Sequence, residues 1–272
     1  MPILRRTVPV AATVTCAALM LVACGDDSDD TARSDSPTTT SSSASTEFCD
    51  ASLAIELAPE PEIDFESATE DEIVAAVSGF GADVMRPLAD DIVATAPPAI
   101  AADVDALSAA IDDLAGGDLQ AMDTPEVGAA SERFDAFVDD ECGWTSLSVS
   151  ATDYAFTGIP AELEAGPTRF RLTNDGLEAH EVLILRRNPG TDQPIEELLS
   201  LSDDEAFALV TPVGNPAFAT PGGSESVAFD LTPGAYIALC FIPVGMVDES
   251  SVPAPDALPH AAHGMTVEFT VG

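Results

Sequence analysis

The sequence predicts an α+β chain of two domains, in which an all-α four-helix bundle precedes a Greek-key β-sandwich with a helical insert. Between residues 73 and 138 apolar side chains recur every three or four positions, which is the period of helices buried on one face. From Ser146 the period changes to two, and Gly and Pro turns separate short apolar runs. Cys49 and Cys142 bracket the helical part, so a disulfide between them is expected to close it.

The first 24 residues are typical of an export signal. Arg5 and Arg6 precede an apolar run that ends in "LVAC" at Cys24. This ending resembles a bacterial lipobox, which implies a lipoprotein signal peptide over residues 1–24 and a lipid on Cys24. The expected location is therefore the extracytoplasmic face of the cell membrane, reached through the N-terminal lipid. An uncleaved membrane anchor is the alternative, and it leaves the rest of the chain on the same side.

Residues 25–46 form an acidic, Ser/Thr-rich segment without Val, Leu, Ile or an aromatic residue, which predicts a disordered tether. Helices are predicted over residues 47–145. Thr69 and Glu72 form a capping box at one helix start, and Gly116-Gly117 ends a later helix. The helical-bundle domain is accordingly placed at 47–145 and the β-sandwich domain at 146–272.

The five cysteines are Cys16, Cys24, Cys49, Cys142 and Cys240. Cys16 leaves with the signal and Cys24 takes the lipid, so Cys49 and Cys142 remain for a disulfide. Cys240 is left over, and an unpaired thiol outside the cell needs protection by a metal or by deep burial.

The charge is strongly negative, with 9 basic and 48 acidic residues giving −39, and every basic residue is Arg. Such a balance disfavours nucleic acid as a partner. It is consistent either with a solvated surface or with a docking surface for a cationic partner. Acidic pairs such as Asp90-Asp91 do not predict a calcium site, because helix neighbours point in different directions and no "DxDxDG" loop is present.

Residues that suit a soft metal ion lie in the β-region. His180 opens the predicted strand "HEVLIL", Cys240 ends "AYIALC", and His260 and Met265 precede the last strand. Two imidazoles, a thiolate and a weak thioether are the ligand set of blue-copper electron-transfer sites. Taken singly, each residue also has a structural interpretation, such as an inert buried cysteine or a core methionine. His263 and Met246 are alternative ligands.

Residues 146–272 resemble a cupredoxin in the ligand order and in the phrases "LTNDGLEAHEV", "PGAYIALCFIP" and "HAAHGM". The resemblance implies one type 1 copper ion with His180, Cys240 and His260 as equatorial ligands and Met265 as the axial ligand. It further implies one-electron transfer with an unknown redox or protein partner and an exposed edge on His260. The helical part, closed by "FCD" and "ECGW", resembles a module of actinobacterial lipoproteins, which implies no particular activity.

Two departures from the family pattern stand out. The segment 244–259 makes the ligand loop long, so His260 is expected to be held less firmly, and Glu181 occupies a position where many members have Asn. The competing hypotheses are a metal-free cupredoxin-like module that binds a partner and a Cu(I) chaperone. An enzyme is disfavoured, because no Ser-His-Asp set, phosphate loop or paired-acid cleft is visible.

Overall fold

A computed structural model describes residues 44–59, 61, 63, 68–248 and 250–272. The predicted signal peptide, the predicted lipid attachment site at Cys24 and nearly all of the predicted tether lie outside these residues. Within the described part of the chain, no helix combines the length and the apolar character needed to cross a membrane.

Five α-helices form the N-terminal part, with a π-helical turn at Gly81–Met85 and a 3-10 turn at Ala121–Asp123. They are α1 (Thr46–Glu56), α2 (Glu70–Phe80), α3 (Arg86–Thr95), α4 (Ala101–Ala115) and α5 (Pro125–Cys142). The predicted capping box is confirmed at the start of α2, where Glu72 N–H donates to Thr69 Oγ1 and Thr69 N–H donates to Glu72. The π-helical turn joins α2 to α3 without a break. This agrees with the sequence, in which apolar residues recur at helical spacing from Ile73 to Ile92.

The predicted four-helix bundle is not confirmed, because the helices bury part of their apolar surface against the β-region. Phe48, Phe134 and Val138 share one buried cluster with Trp144 and with Ala228 of a β-strand. The predicted disulfide is confirmed: it joins Cys49 in α1 to Cys142 at the end of α5, with 5.6 Å between their Cα atoms.

Nine strands follow in two sheets. They are β1 (Thr145–Thr152), β2 (Ala155–Thr157), β3 (Glu162–Leu163), β4 (Gly166–Asn174), β5 (His180–Arg187), β6 (Val210–Ala219), β7 (Ser224–Leu231), β8 (Gly234–Leu239) and β9 (Thr266–Val271). The strand order is β2-β1-β4-β7 in the four-stranded sheet and β3-β9-β8-β5-β6 in the five-stranded sheet. Both sheets are mixed, since β1 pairs with β4 and β3 pairs with β9 in parallel.

Alternation along the strands decides which side chains enter the core. Phe170 and Phe229 of the four-stranded sheet share one buried cluster with Ile184, Tyr236 and Ala238 of the five-stranded sheet, so the two sheets pack face to face. His180 has the same parity as Ile184 on β5, and it therefore points toward the space between the sheets.

The predicted helical insert is confirmed between β5 and β6 as α6 (Ile195–Leu198) and α7 (Asp203–Leu209). The second predicted capping box, between Ser202 and Glu205, begins α7. Leu198 packs with Leu183 and Leu185 on the outer face of the five-stranded sheet. The insert therefore covers the face of this sheet that is turned away from the sandwich interior.

A buried arginine joins the helices to the four-stranded sheet. Arg169 of β4 is fully buried and pairs with Glu56 of α1 at 3.1 Å and with Asp135 and Asp139 of α5 at 3.2 and 2.7 Å. Its guanidinium lies over the Trp144 ring, 5.1 Å from the centroid. We refer to Arg169 and its three carboxylate partners as the Arg169 cluster.

Candidate metal centre

Three neighbouring strands of the five-stranded sheet bring His180, Cys240 and Met265 to the same end of that sheet. In the ladders, Leu239 is opposite Leu183 of β5 and Thr266 of β9. Cys240 directly follows Leu239 and Met265 directly precedes Thr266, so these two residues are adjacent, and Cys240 N–H donates to Met265 O at 3.3 Å. Because His180 is the first residue of β5 at the same end of the sheet, the topology brings together residues that are far apart in the sequence.

The ligand atoms of His180, Cys240 and His260 all lie within 4.8 Å of one another. The two Nδ1 atoms are 3.0 Å apart, and Cys240 Sγ is 3.4 Å from His260 Nδ1. All three residues are fully buried. Met265 is also fully buried and belongs to the same apolar cluster as Cys240. Its role as axial ligand stays a prediction.

The long segment 244–259 is closed at its base, so the expectation that it holds His260 loosely is wrong. Pro243 and Pro259 form a β-bridge, and Val244 N–H donates to Leu258 O at 3.0 Å. His260 N–H donates to Ile242 O at 2.9 Å. The two ends of the segment are therefore held together, and the length of the segment does not affect the position of His260.

Each imidazole has a carboxylate at its outer nitrogen. His180 Nε2 is 3.2 Å from Asp153 Oδ1, and His260 Nε2 is 3.0 Å from Glu178 Oε2. Asp153 lies in the turn between β1 and β2, and Glu178 lies in the turn between β4 and β5. The two carboxylates therefore reach the centre from both sheets.

Backbone donors fix both carboxylates. Asp153 Oδ1 accepts from Leu177 N–H at 2.9 Å and from Glu178 N–H at 3.3 Å. Burial acts to raise the pKa of Asp153, but these bonds and the one from His180 outweigh it and lower that pKa. Glu178 behaves in the same way: burial is outweighed by Gly245 N–H, at 2.6 Å, and by His260, and the pKa of Glu178 is lowered. Both groups are therefore ionised at neutral pH and accept hydrogen bonds only.

These contacts decide the protonation of the rings. Burial lowers the pKa of both His180 and His260, with the neighbouring imidazole adding to the effect at His180. A neutral imidazole has one N–H, and each ring needs it at Nε2 to bind its carboxylate. Both Nδ1 atoms then face each other with lone pairs at 3.0 Å. The thiol proton of Cys240, whose Sγ is 3.4 Å from His260 Nδ1, or a bound metal cation can offset the repulsion among these inner atoms.

Cys240 lies beside these nitrogens with its thiol protonated. Burial raises its pKa strongly, and the negative charge of Glu181 adds to the rise. Glu181 is 7% exposed; its backbone N–H donates to Cys240 Sγ at 3.4 Å, and its carboxylate accepts from Phe241 N–H at 2.9 Å. Glu181, at the position where the sequence resemblance led us to expect Asn, thus braces the ligand loop but brings a charge. A metal ion has to displace the thiol proton in order to bind.

The turn before His180 leaves no space for a side chain. A Cβ on Gly176 would lie 2.5 Å from Asp153 Oδ1 and 2.7 Å from His180 Nε2. Asn174, which is 1% exposed, holds this turn through bonds to Glu178 O and Ala219 O, both at 2.8 Å. The contact between His180 and Asp153 depends on this close backbone approach.

Tyr154 covers His260 from the outside. The two ring centroids are 5.0 Å apart, and Tyr154 has a φ of 72°, the only positive φ outside glycine among the described residues. The expected exposed edge on His260 is wrong, since His260 is fully buried. His263, one alternative ligand, is exposed, contacts the Tyr154 ring and lies outside the cluster of ligand atoms. Met246, the other alternative, packs on the sandwich core.

Sequence reasoning missed Asp153, Glu178 and Tyr154. Glu178 has a detectable signal, because it stands two residues before His180 in a turn that the ligand pattern had already marked. Asp153 and Tyr154 lie in a turn of the opposite sheet, and no local pattern ties them to the ligands.

Comparisons with known proteins give structural neighbours only. No protein-family model and no curated protein matches the sequence. Similar solved structures include a reduced auracyanin from the photosynthetic bacterium Roseiflexus castenholzii, with 18% identity, a TM-score of 0.30 and coverage of 47% of this chain and 97% of that one. Rusticyanin from Thiobacillus ferrooxidans has 17% identity, a TM-score of 0.30 and coverage of 47% and 78%. A copper-containing nitrite reductase from Thermus scotoductus has 12% identity, a TM-score of 0.27 and coverage of 49% and 33%. TM-scores this low carry no functional conclusion, so the centre is judged on its own geometry.

Proposed function

We propose that this protein binds one copper ion through His180, Cys240 and His260, with Met265 as a weak fourth ligand, and that it transfers single electrons. The observation that supports this most strongly is the convergence of three buried donor atoms, with the two Nδ1 atoms 3.0 Å apart and Cys240 Sγ 3.4 Å from one of them. Two imidazole nitrogens and one sulfur this close together are the donor types that one soft cation binds.

The donor types favour copper over harder ions. Two imidazoles, one thiolate and one thioether suit a soft or borderline transition metal, whereas magnesium and calcium prefer oxygen ligands. Bound copper would supply a centre that alternates between the +1 and +2 states. The thioether of Met265 is included because Met265 is fully buried and adjacent to Cys240 in the ladder.

The surrounding residues keep the donors in place while the charge changes. Asp153 and Glu178 fix the two rings, and the backbone bonds of the ligand loop fix Cys240 and His260. A preset donor geometry needs little rearrangement when an electron arrives or leaves. Four protein ligands in a buried site also leave no position for a substrate, which favours an electron carrier over an enzyme.

We further propose that the protein is a lipoprotein, attached through Cys24 to the extracytoplasmic face of the cell membrane. This rests on the lipobox-like ending "LVAC" of the first 24 residues. The net charge of −39 favours a redox partner with a cationic docking surface and disfavours nucleic acid.

The test is a titration of the full-length protein with Cu(II) under mild reduction of the free thiol. The proposal expects one equivalent of bound copper and an intense visible band from the thiolate–copper charge transfer. Cys240→Ala is expected to lose the band, and His180→Ala is expected to lose copper. His263→Ala is the matched control and is expected to keep both, because His263 is exposed and outside the cluster.

Two other outcomes would contradict the proposal. A colourless wild-type protein with no copper by elemental analysis would leave a metal-free binding module. Tight Cu(I) binding without the visible band would indicate that the protein holds or delivers copper and does not transfer electrons.

A further inference from the structure

Each residue of the inner ligand cluster contacts one acidic residue. Asp153 and Glu178 bind the outer nitrogens of the two histidines, at 3.2 and 3.0 Å. Glu181 binds the backbone of the ligand loop and presents its own N–H to Cys240 Sγ. The side chains of Asp153 and Glu178 are 33% and 20% exposed, and Glu181 as a residue is 7% exposed. We call Asp153, Glu178 and Glu181 the carboxylate ring.

From this arrangement we propose that the carboxylate ring makes the centre prefer divalent over monovalent copper and so lowers its reduction potential. The inference deepens the proposed function and rests on it for the identity of the metal. Asp153, Glu178 and Glu181 act in it as positioning and charge-setting residues, because they touch the ligands and not the metal.

The argument begins with charge balance. A thiolate and three carboxylates together carry more negative charge than a divalent ion can offset. Reduction to a monovalent ion adds one more uncompensated negative charge to a buried site. In a protein interior charges interact more strongly than in water, so this excess is costly. The oxidised state is therefore stabilised relative to the reduced one.

The hydrogen bonds act in the same direction. A carboxylate that accepts the outer N–H makes the imidazole a stronger donor through its inner nitrogen. A more basic nitrogen favours the harder, divalent ion. Both rings have this partner, so the effect is exerted from two sides. In the part of the chain that the structure describes, the outer nitrogens of these two histidines are the imidazole partners of Asp153 and Glu178.

The third carboxylate acts on the sulfur. The carboxylate of Glu181 accepts from the N–H of Phe241, the residue next to Cys240, so its negative charge opposes additional negative charge on the sulfur. A divalent ion withdraws more electron density from a thiolate than a monovalent ion does. Glu181 consequently favours the oxidised centre as well, and a neutral amide at this position would remove that preference while it keeps an acceptor for Phe241 N–H.

The experiment compares three isosteric variants of the full-length protein, Asp153→Asn, Glu178→Gln and Glu181→Gln, with the wild type. Cu(II) affinity is expected to fall about 10- to 100-fold in the two histidine-facing variants, as is typical when the outer partner of a ligand is removed. Cu(I) affinity is expected to fall less. Each tenfold difference between the two losses raises the one-electron reduction potential by about 59 mV.

Asp230→Asn is the matched control. It removes the same charge from an exposed residue of β7 that is paired with Pro167 at the start of β4, at the opposite end of that sheet from the turn leading to His180. Its potential and its two copper affinities are expected to equal those of the wild type. Near-ultraviolet circular dichroism checks folding. If Glu181→Gln does not fold, the two more exposed positions decide the outcome.

Failure of this inference is distinguishable from failure of the proposed function. If the variants bind copper with the wild-type potential and the wild-type ratio of affinities, the carboxylate ring has no such role although the protein carries copper. If the wild type binds no copper, ¹⁵N NMR of the metal-free protein decides the positioning part. Protonation of both rings at Nε2 upholds the contacts with Asp153 and Glu178, and protonation of either ring at Nδ1 overturns them.

Discussion

Two buried polar clusters in this molecule differ in where their positive charge comes from. The Arg169 cluster contains a permanently charged guanidinium and three carboxylates at 2.7 to 3.2 Å, so opposite charges meet at the junction of helices and sheet. The metal centre places two imidazole nitrogens 3.0 Å apart and a thiol 3.4 Å from one of them, with no Arg side chain among these groups. In the first cluster the cation belongs to the protein, although Arg169 Nη2 has no hydrogen-bond partner among the described residues; in the second the cation has to be bound. A buried polar cluster therefore indicates a cation-binding site where its donor atoms converge without a positively charged side chain among them.

The largest effect is expected from removing the cation of the Arg169 cluster. Arg169→Met leaves three carboxylates near the interface without their cation and should reduce the free energy of unfolding by about 3–5 kcal/mol. Urea unfolding of the metal-free protein measures it. Arg171→Met is the control: Arg171 is 40% exposed and pairs with Asp139, so its loss should cost under about 1 kcal/mol. Equal effects of the two variants would show that the buried cluster does not stabilise the interface.

Binding of copper should stabilise the metal centre and with it the folded protein. At free copper about 1,000 times the dissociation constant, the free energy of unfolding should rise by about 4 kcal/mol. The same thermal or urea measurement on Cys240→Ala should show a much smaller rise, because the thiolate is gone. A rise of equal size in both proteins would place the copper elsewhere on this acidic chain.

The Arg169 cluster should also carry a pH signature. Burial raises the pKa of Asp135 from 3.8 to about 6, against the opposing effect of Arg169. The folded state then holds a proton that the unfolded state has released, so the stabilisation is fully present below pH 3.8 and is lost as the pH rises through 6. Relative to Asp135→Asn, the free energy of unfolding of the wild type should fall by roughly 3 kcal/mol as the pH rises across this window. A difference that does not vary with pH would contradict the buried state of Asp135.

A smaller effect is expected from the turn that places Asp153 against His180. Gly176→Ala puts a methyl group into the 2.5 Å approach to Asp153 and should weaken Cu(II) binding about tenfold, or about 1.4 kcal/mol. Gly128→Ala on α5, where nothing lies within 4 Å, is the control and should leave copper binding unchanged. Isothermal titration would measure both variants. Wild-type affinity in Gly176→Ala would show that this carboxylate does not position the ring.

Much of the fold and of the ligand set was predictable because the signals are local. Capping boxes, the change of period near Ser146 and the helical insert follow from neighbouring residues alone. His180, Cys240 and Met265 lie at strand ends, and the order of the strands brings these ends together at one end of the sheet. The pairing of Cys49 with Cys142 followed from counting cysteines and is present in the structure.

What the sequence could not provide depends on packing between distant elements. An apolar helix stripe does not say whether it packs on another helix or, as here, partly on β7. The burial of His260 depends on Tyr154, whose left-handed backbone lies in a turn of the opposite sheet. The firm hold on His260 depends on hydrogen bonds between the two ends of the segment 244–259, and no composition rule predicts them.

The most direct test of the central claim is X-ray absorption at the copper edge of the full-length protein loaded with one equivalent of copper. The account predicts a first shell with one short copper–sulfur bond and two imidazole nitrogens, and loss of that sulfur in Cys240→Ser. A first shell of nitrogen and oxygen atoms alone, unchanged in Cys240→Ser, would contradict it.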